Sequence, residues 1–326
     1  MGHIRRCLSL ALALRDLGAR CLFLLDGDPE VCDLAAAEGF DAIRIRPEHD
    51  PEDTISQCKN QDVAVMVADS YAPSTEYFLE VGKTGTAVAV LDDLADRELP
   101  VHLVVNGSAG AEQLRYRSGV QTKYLLGPQY VLLRPEFAAV PVREIRNRVE
   151  RVLITVGGSD PHGLTSRLMR GVADTLGPVK QDVVVGPLFE YADAVRKTAK
   201  ASPEAVTLYE NPKDMRALMM SADLVLCGGG QTTYELAATG TPAIAVRTAL
   251  NQTVNLKGLS AAGTLVWAGD VNDADLETKV KQELKTLAGD APRRATMSRQ
   301  GRTLVDGQGA VRVAKAILGL AETSAP

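Results

Sequence analysis

At 326 residues the chain is long enough for two α/β domains, each burying its own core. A net charge of −5 gives no basic surface for nucleic acid or anionic lipid, and 4% aromatic residues are too few to stack a single strand. Cys7, Cys21, Cys32, Cys58 and Cys227 are odd in number and share no metal-ligand spacing. That argues against zinc or a disulfide framework and for a reducing cytoplasm, and no apolar run reaches the ~18–20 residues of a membrane span.

In chain order, the periodicity predicts a helix over 3–18 closed by Gly18, a strand over 20–25, a helix over 30–38 and a strand over 41–45. A helix over 51–60 precedes an apolar strand, 63–68, that ends at Asp69-Ser70. A helix over 73–83 and strands over 87–91 and 103–105 follow, the first of these ending at Asp92-Asp93. Three prolines and a charged run mark 125–150 as an exposed linker, and the boundary is placed there, at 1–145 and 146–326. Beyond it, strands at 151–156, 182–185, 205–209, 223–226 and 242–246 alternate with helices, and 272–320 is mainly helical. Continuously apolar strands separated by helices indicate parallel sheets covered on both faces. The expected fold is α/β, two Rossmann-like domains facing across a cleft in the GT-B arrangement, with ligands outside the carboxyl ends of the strands.

The strongest chemical signal is Gly228-Gly229-Gly230-Gln231-Thr232-Thr233-Tyr234-Glu235, a strand end, a glycine turn and a helix start. Glycines allow a phosphate close to the backbone, and the helix N-terminus attracts its charge. Gln231, Thr232 and Thr233 add donors, and Glu235 is placed to accept from ribose hydroxyls. Gly157-Gly158-Ser159 repeats the arrangement, with Ser159 either capping the next helix or meeting a phosphate. Asn251-Gln252 offers amides suited to sugar hydroxyls. Among the histidines, His49 reads as solvated, His102 as structural and His162 as a possible ligand contact. His3 opens a helix, where the dipole disfavours its charged form and leaves it able to take a proton from water.

These segments, with Gly2-His3-Ile4-Arg5-Arg6-Cys7, Asp69-Ser70-Tyr71, Leu91-Asp92-Asp93 and Gly127-Pro128-Gln129-Tyr130, resemble one family in order from residue 2 to about 265. It is the UDP-2,4-diacetamido-2,4,6-trideoxy-β-L-altropyranose hydrolases of pseudaminic acid biosynthesis, with the related spore-coat polysaccharide proteins. The resemblance implies that His3 activates water to displace UDP, that Gly229, Thr232, Thr233 and Glu235 hold UDP, and that Asn251-Gln252 meets the sugar. It implies a small-molecule UDP-sugar as partner and no cofactor or metal. Asp69 and Asp93 either orient His3 or cap helices. The family begins with a strand ahead of the Gly-His pair. That strand is absent here, so the first N-terminal strand is expected to be missing, through an upstream start or a truncated copy. The competing readings are a GT-B glycosyltransferase using a UDP-sugar donor and a truncated, non-catalytic UDP-sugar binding protein.

Overall fold

The computed structural model describes residues 2–26, 29–46, 50–117, 121–201 and 204–324; His49 lies outside the described residues. The chain divides into two compact units, Met1–Pro135 with Gly307–Pro326, and Glu136–Asp306.

In the first unit α1 (Gly2–Asp16), β1 (Leu22–Leu25), α2 (Pro29–Ala37), β2 (Asp41–Arg44), α3 (Asp50–Asn60), β3 (Val65–Ala68), α4 (Thr75–Gly82), β4 (Ala87–Leu91), β5 (Leu103–Asn106) and β6 (Lys123–Leu126) follow in turn. Among the described residues the strands form two separate parallel sheets, β1-β2 and β3-β4-β5-β6. Among the described residues no strand joins β1 to β3. Helix α1 links the two sheets instead. Its Ile4, Leu8 and Ala11 pack with Phe23 and Phe40, while Leu10, Ala13 and Leu14 pack with Ala89, Leu91 and Leu103. An apolar helix with two buried faces can hold sheets together that share no hydrogen bonds. It stops at Gly18, whose φ of 90° reverses the chain as a side chain would resist doing.

The second unit runs β7 (Arg151–Thr155), α5 (Leu164–Leu176), β8 (Lys180–Val185), α6 (Ala192–Lys200), β9 (Val206–Glu210), α7 (Met215–Ser221), β10 (Leu224–Gly228), α8 (Thr232–Thr239), β11 (Ala243–Arg247), α9 (Thr253–Ala261), β12 (Val266–Asp270), α10 (Leu276–Gly289) and α11 (Ala291–Leu304). Its six strands are all parallel, in the order β12-β11-β10-β7-β8-β9. The chain leaves β7 in one direction and returns to β10 on its other side, so the winding reverses between β7 and β10. Ligands in doubly wound sheets settle in the crevice at such a reversal.

Two expectations are corrected. The last helix, α12 (Gly309–Ser324), belongs to the first unit, because Val313, Ala314 and Ile317 are buried in one cluster with Leu10, Ala13 and Leu14 of α1. Its apolar stripe matched the pattern of a second-domain helix, and periodicity does not say which core a stripe enters. The segment expected as an exposed linker is also bound down. Buried Arg294 donates to the carbonyls of Arg146 and Asn147 at 2.6 and 3.2 Å, and Arg302 to those of Pro141 and Val140 at 2.9 and 3.0 Å. Arg143 is half-buried and donates to the Ala222 carbonyl and the Thr241 hydroxyl; burial pulls its guanidinium down to about 10. The prolines break regular structure here without freeing the chain.

Candidate active site

In the first unit, Asp69 follows β3 and Asp93 lies two residues beyond β4, at the carboxyl ends of neighbouring strands. The N-terminus of α1 brings His3 to them. Its Nδ1 lies 2.6 Å from Asp69 Oδ1; the His3 side chain is 44% exposed and that of Asp69 only 4%. An ionised carboxylate only accepts, so Nδ1 carries the proton, and in the neutral imidazole Nε2 is the nitrogen with a lone pair for another. Arg6, one turn along α1, donates to Asp69 Oδ2 through Nε at 2.7 Å and to Oδ1 through NH2 at 2.5 Å. Its NH1 reaches both Asp93 oxygens at 2.9 Å, and the Tyr71 hydroxyl donates to Asp93 Oδ2 at 2.9 Å. The Tyr71 ring meets His3 edge-on at 5.1 Å, and Arg97 fixes its loop by donating to the carbonyls of Ser70, Tyr71 and Pro73.

Burial disfavours the charged form of Asp69, but hydrogen bonds from Arg6 and His3 outweigh it and hold the carboxyl well below the usual range. Burial likewise opposes the Arg6 charge, and hydrogen bonding to Asp69 with the nearby Asp93 charge pushes its guanidinium up. Burial, with the Asp69 charge adding to it, raises the Cys7 thiol, whose Sγ donates to Asp69 Oδ2 at 3.3 Å. A carboxyl lowered on folding contributes stability above its unfolded pKa of about 3.9, and that contribution is lost as pH falls below it. Wild-type protein is therefore expected to lose stability steeply below about pH 4. Asp69→Asn should be weaker at neutral pH by about 2 kcal/mol, with a flatter acid limb. Denaturant midpoints of the two proteins between pH 3 and pH 7 check this; parallel curves would contradict it.

In the second unit the two glycine turns flank the winding reversal, Gly157-Gly158 after β7 and Gly228-Gly229-Gly230 after β10. A Cβ on Gly228 would lie 2.7 Å from the Val156 carbonyl oxygen, and one on Gly186, after β8, 2.5 Å from that of Gly158. The strand ends close on one another too tightly for side chains, which leaves backbone as the lining. Beside Gly230 there is open space for a methyl group. Gln231 and Thr232 start α8 half-buried, and Glu235 is half-buried in its first turn. Gln252 lies against Gly229, whose Cβ would come 2.8 Å from Gln252 Oε1. Asn251 is exposed on the short turn before α9.

Several residues have other tasks than the sequence led us to expect. Thr233 is 1% exposed; its hydroxyl donates to the Gly230 carbonyl at 2.7 Å and accepts from Asn255 Nδ2 at 3.0 Å. It shapes the turn from inside, and its hydroxyl is spent there. The cap on α5 is Asp160, which accepts from the amides of Leu164 and Thr165 at 2.8 Å, while Ser159 is exposed. The Gln252 amide is tied to Thr248, accepting from its N–H at 2.9 Å and donating to its hydroxyl at 3.0 Å. Asp92 caps a turn through Leu94 and Ala95, leaving Asp93 to Arg6. His102 is structural, as its sequence position suggests, accepting from the Val88 amide at 3.0 Å, and His162 is exposed. The sequence reading missed Arg6 and Asn255. The second donates to the Gly229 carbonyl at 2.9 Å, and its place three residues after Gln252 on α9 was the available signal.

Among the described residues no helix is long and apolar enough to cross a membrane. The architecture is the GT-B fold. Over 98% of its length the chain matches the crystal structure of Acinetobacter baumannii MurG (96% of that chain) with a TM-score of 0.73 at 17% identity. It matches Anabaena Alr3699/HepE in complex with UDP and glucose with a TM-score of 0.61 at 13% identity, covering 98% and 96% of the two chains. Residues 152–313 match the glycosyltransferase family 28 C-terminal domain. Among curated proteins, the chain is 26% identical to the Bacillus subtilis spore coat polysaccharide biosynthesis protein SpsG, over 99% of this chain and 95% of that one. It is 27% identical to Methanocaldococcus jannaschii MJ1062, over 75% of this chain and 52% of that protein. With the Helicobacter pylori pseudaminic acid cytidylyltransferase and UDP-2,4-diacetamido-2,4,6-trideoxy-β-L-altropyranose hydrolase it shares 21% identity, over 81% of this chain and 45% of that protein. The chain thus spans about half the length of two of these relatives.

Proposed function

We propose that the chain is a UDP-sugar hydrolase acting on a 2,4-diacetamido-2,4,6-trideoxy sugar in nonulosonic acid biosynthesis. The observation that carries this reading is the His3–Asp69 pair, a half-exposed imidazole held by a buried carboxylate with Nε2 left as acceptor. In the reaction Nε2 takes a proton from water, the water oxygen bonds to the anomeric carbon, and the bond to the β-phosphate oxygen breaks. Its electron pair leaves with UDP, and the proton on His3 passes to solvent. The glycine turns at 157–158 and 228–230 and the start of α8 accept the diphosphate, with Glu235 toward the ribose and Asn251 toward the sugar. Backbone amides and a helix terminus supply the counter-charge, so the reaction as drawn needs no cofactor. The Helicobacter pylori relative's name supports the substrate class, and SpsG supports a place in polysaccharide synthesis.

The family 28 match over 152–313 favours a second reading, transfer of the sugar to an acceptor other than water. Incubation with a panel of UDP-sugars in buffer, followed by mass spectrometry, separates the two. Rapid, complete release of UDP and free sugar is the expected result; a donor consumed only when a second sugar or lipid acceptor is added would replace hydrolysis by transfer.

A further inference from the structure

We propose that Arg6 is a positioning residue for His3 that keeps the imidazole neutral at working pH by neutralising the carboxylates around it. This rests on the hydrolytic reading for its purpose, and on the geometry of the first unit for its content. Asp69 faces His3 from the end of β3, and Asp93 approaches from the end of β4 through Arg6 and Tyr71. From α1 itself come Arg6 and the Cys7 thiol on the far oxygen of Asp69. The guanidinium NH2 lies 3.4 Å from His3 Nδ1 and 2.5 Å from the Asp69 oxygen that holds it.

Asp69 alone would orient the ring, but a lone carboxylate at 2.6 Å also favours the imidazolium, which cannot act as a base. Arg6 separates those two effects. It leaves the hydrogen bond in place, shares the Asp69 charge, and sets its own positive charge beside the ring. With Arg6 present the two carboxylates and one guanidinium carry a net charge of −1; without it they carry −2, and the imidazolium is stabilised. Arg97, the other guanidinium near this loop, is spent on backbone carbonyls and cannot take over.

The test is the protonation of His3 followed by NMR of its imidazole Cε1–H in ligand-free protein, assigned by its loss in His3→Ala. Arg6→Met is expected to move the midpoint to higher pH by about one unit or more, Arg6→Lys to hold it, and Asp93→Asn to move it lower. The acid limb of the UDP-release profile should move with the midpoint in each variant. Should Arg6→Met fail to fold, Arg6→Lys and Asp93→Asn carry the comparison. Unmoved midpoints in folded Arg6→Met or in Asp93→Asn would overturn the proposal, as would equal displacement in Arg6→Lys and Arg6→Met. The titration needs no turnover, so absence of UDP release by the wild type would count against the hydrolytic reading alone.

Discussion

His3→Ala is expected to slow UDP release by about 100- to 10,000-fold while leaving UDP affinity unchanged. The imidazole is the general base of the scheme, and among the described residues Asp69 and Asp93 cannot replace it. Asp69 is nearly buried, held ionised by Arg6, and well below the range in which a carboxylate removes protons efficiently at neutral pH. Asp93 is occupied by the Arg6 guanidinium and the Tyr71 hydroxyl. The proposed binding elements at 157–158 and 228–235 belong to the other unit, so a loss confined to turnover is the signature of the base. A fall in UDP affinity of the same size would move His3 from chemistry to binding.

The second large effect is expected at Gly229. A Cβ there would lie 2.6 Å from Leu256 Cδ1 and 2.8 Å from Gln252 Oε1, so even alanine must displace the ends of these two side chains that pack on the turn after β10. That displacement pulls the Gln252 amide from Thr248 and crowds the turn that Asn255 holds through the Gly229 carbonyl. Gly229→Ala should lower UDP affinity by about 10- to 100-fold, read by calorimetry. At Gly230 nothing lies within 4 Å of an added Cβ, and Gly230→Ala should melt close to the wild type. Equal UDP affinity in Gly229→Ala and wild type would remove this turn from the binding site.

Much of this architecture was legible in the sequence because parallel strands buried on both faces write continuous apolar runs. Val65–Ala68, Ala87–Leu91 and Leu224–Gly228 were all visible in that way, and each leads into residues proposed for the site. Strand β6, Lys123–Leu126, was absorbed into the linker because it opens with an exposed lysine and sits among prolines. Strand β12, Val266–Asp270, is half-buried and broken by Gly269, so its run was too weak to read. The sequence placed His3, Asp69 and Asp93 as candidates but left open whether the carboxylates orient the ring or cap helices. The deciding residue is Arg6, which joins both through its three guanidinium nitrogens, and a guanidinium at i+3 of a helix reads in sequence as a solvated face. At Thr233 the sequence was silent on direction: in an α8 start that looks ligand-facing throughout, only the fold reveals which hydroxyl turns inward to Gly230.

The central claim is that water, activated at His3, attacks the anomeric carbon. It is tested most directly by running the reaction in 18O-labelled water and weighing the released UDP. The account predicts stoichiometric UDP release with no 18O in its β-phosphate, because the carbon–oxygen bond breaks and the phosphate keeps its own oxygen. UDP carrying one 18O would show attack at phosphorus and contradict it, as would the absence of release from any diacetamido-trideoxy UDP-sugar.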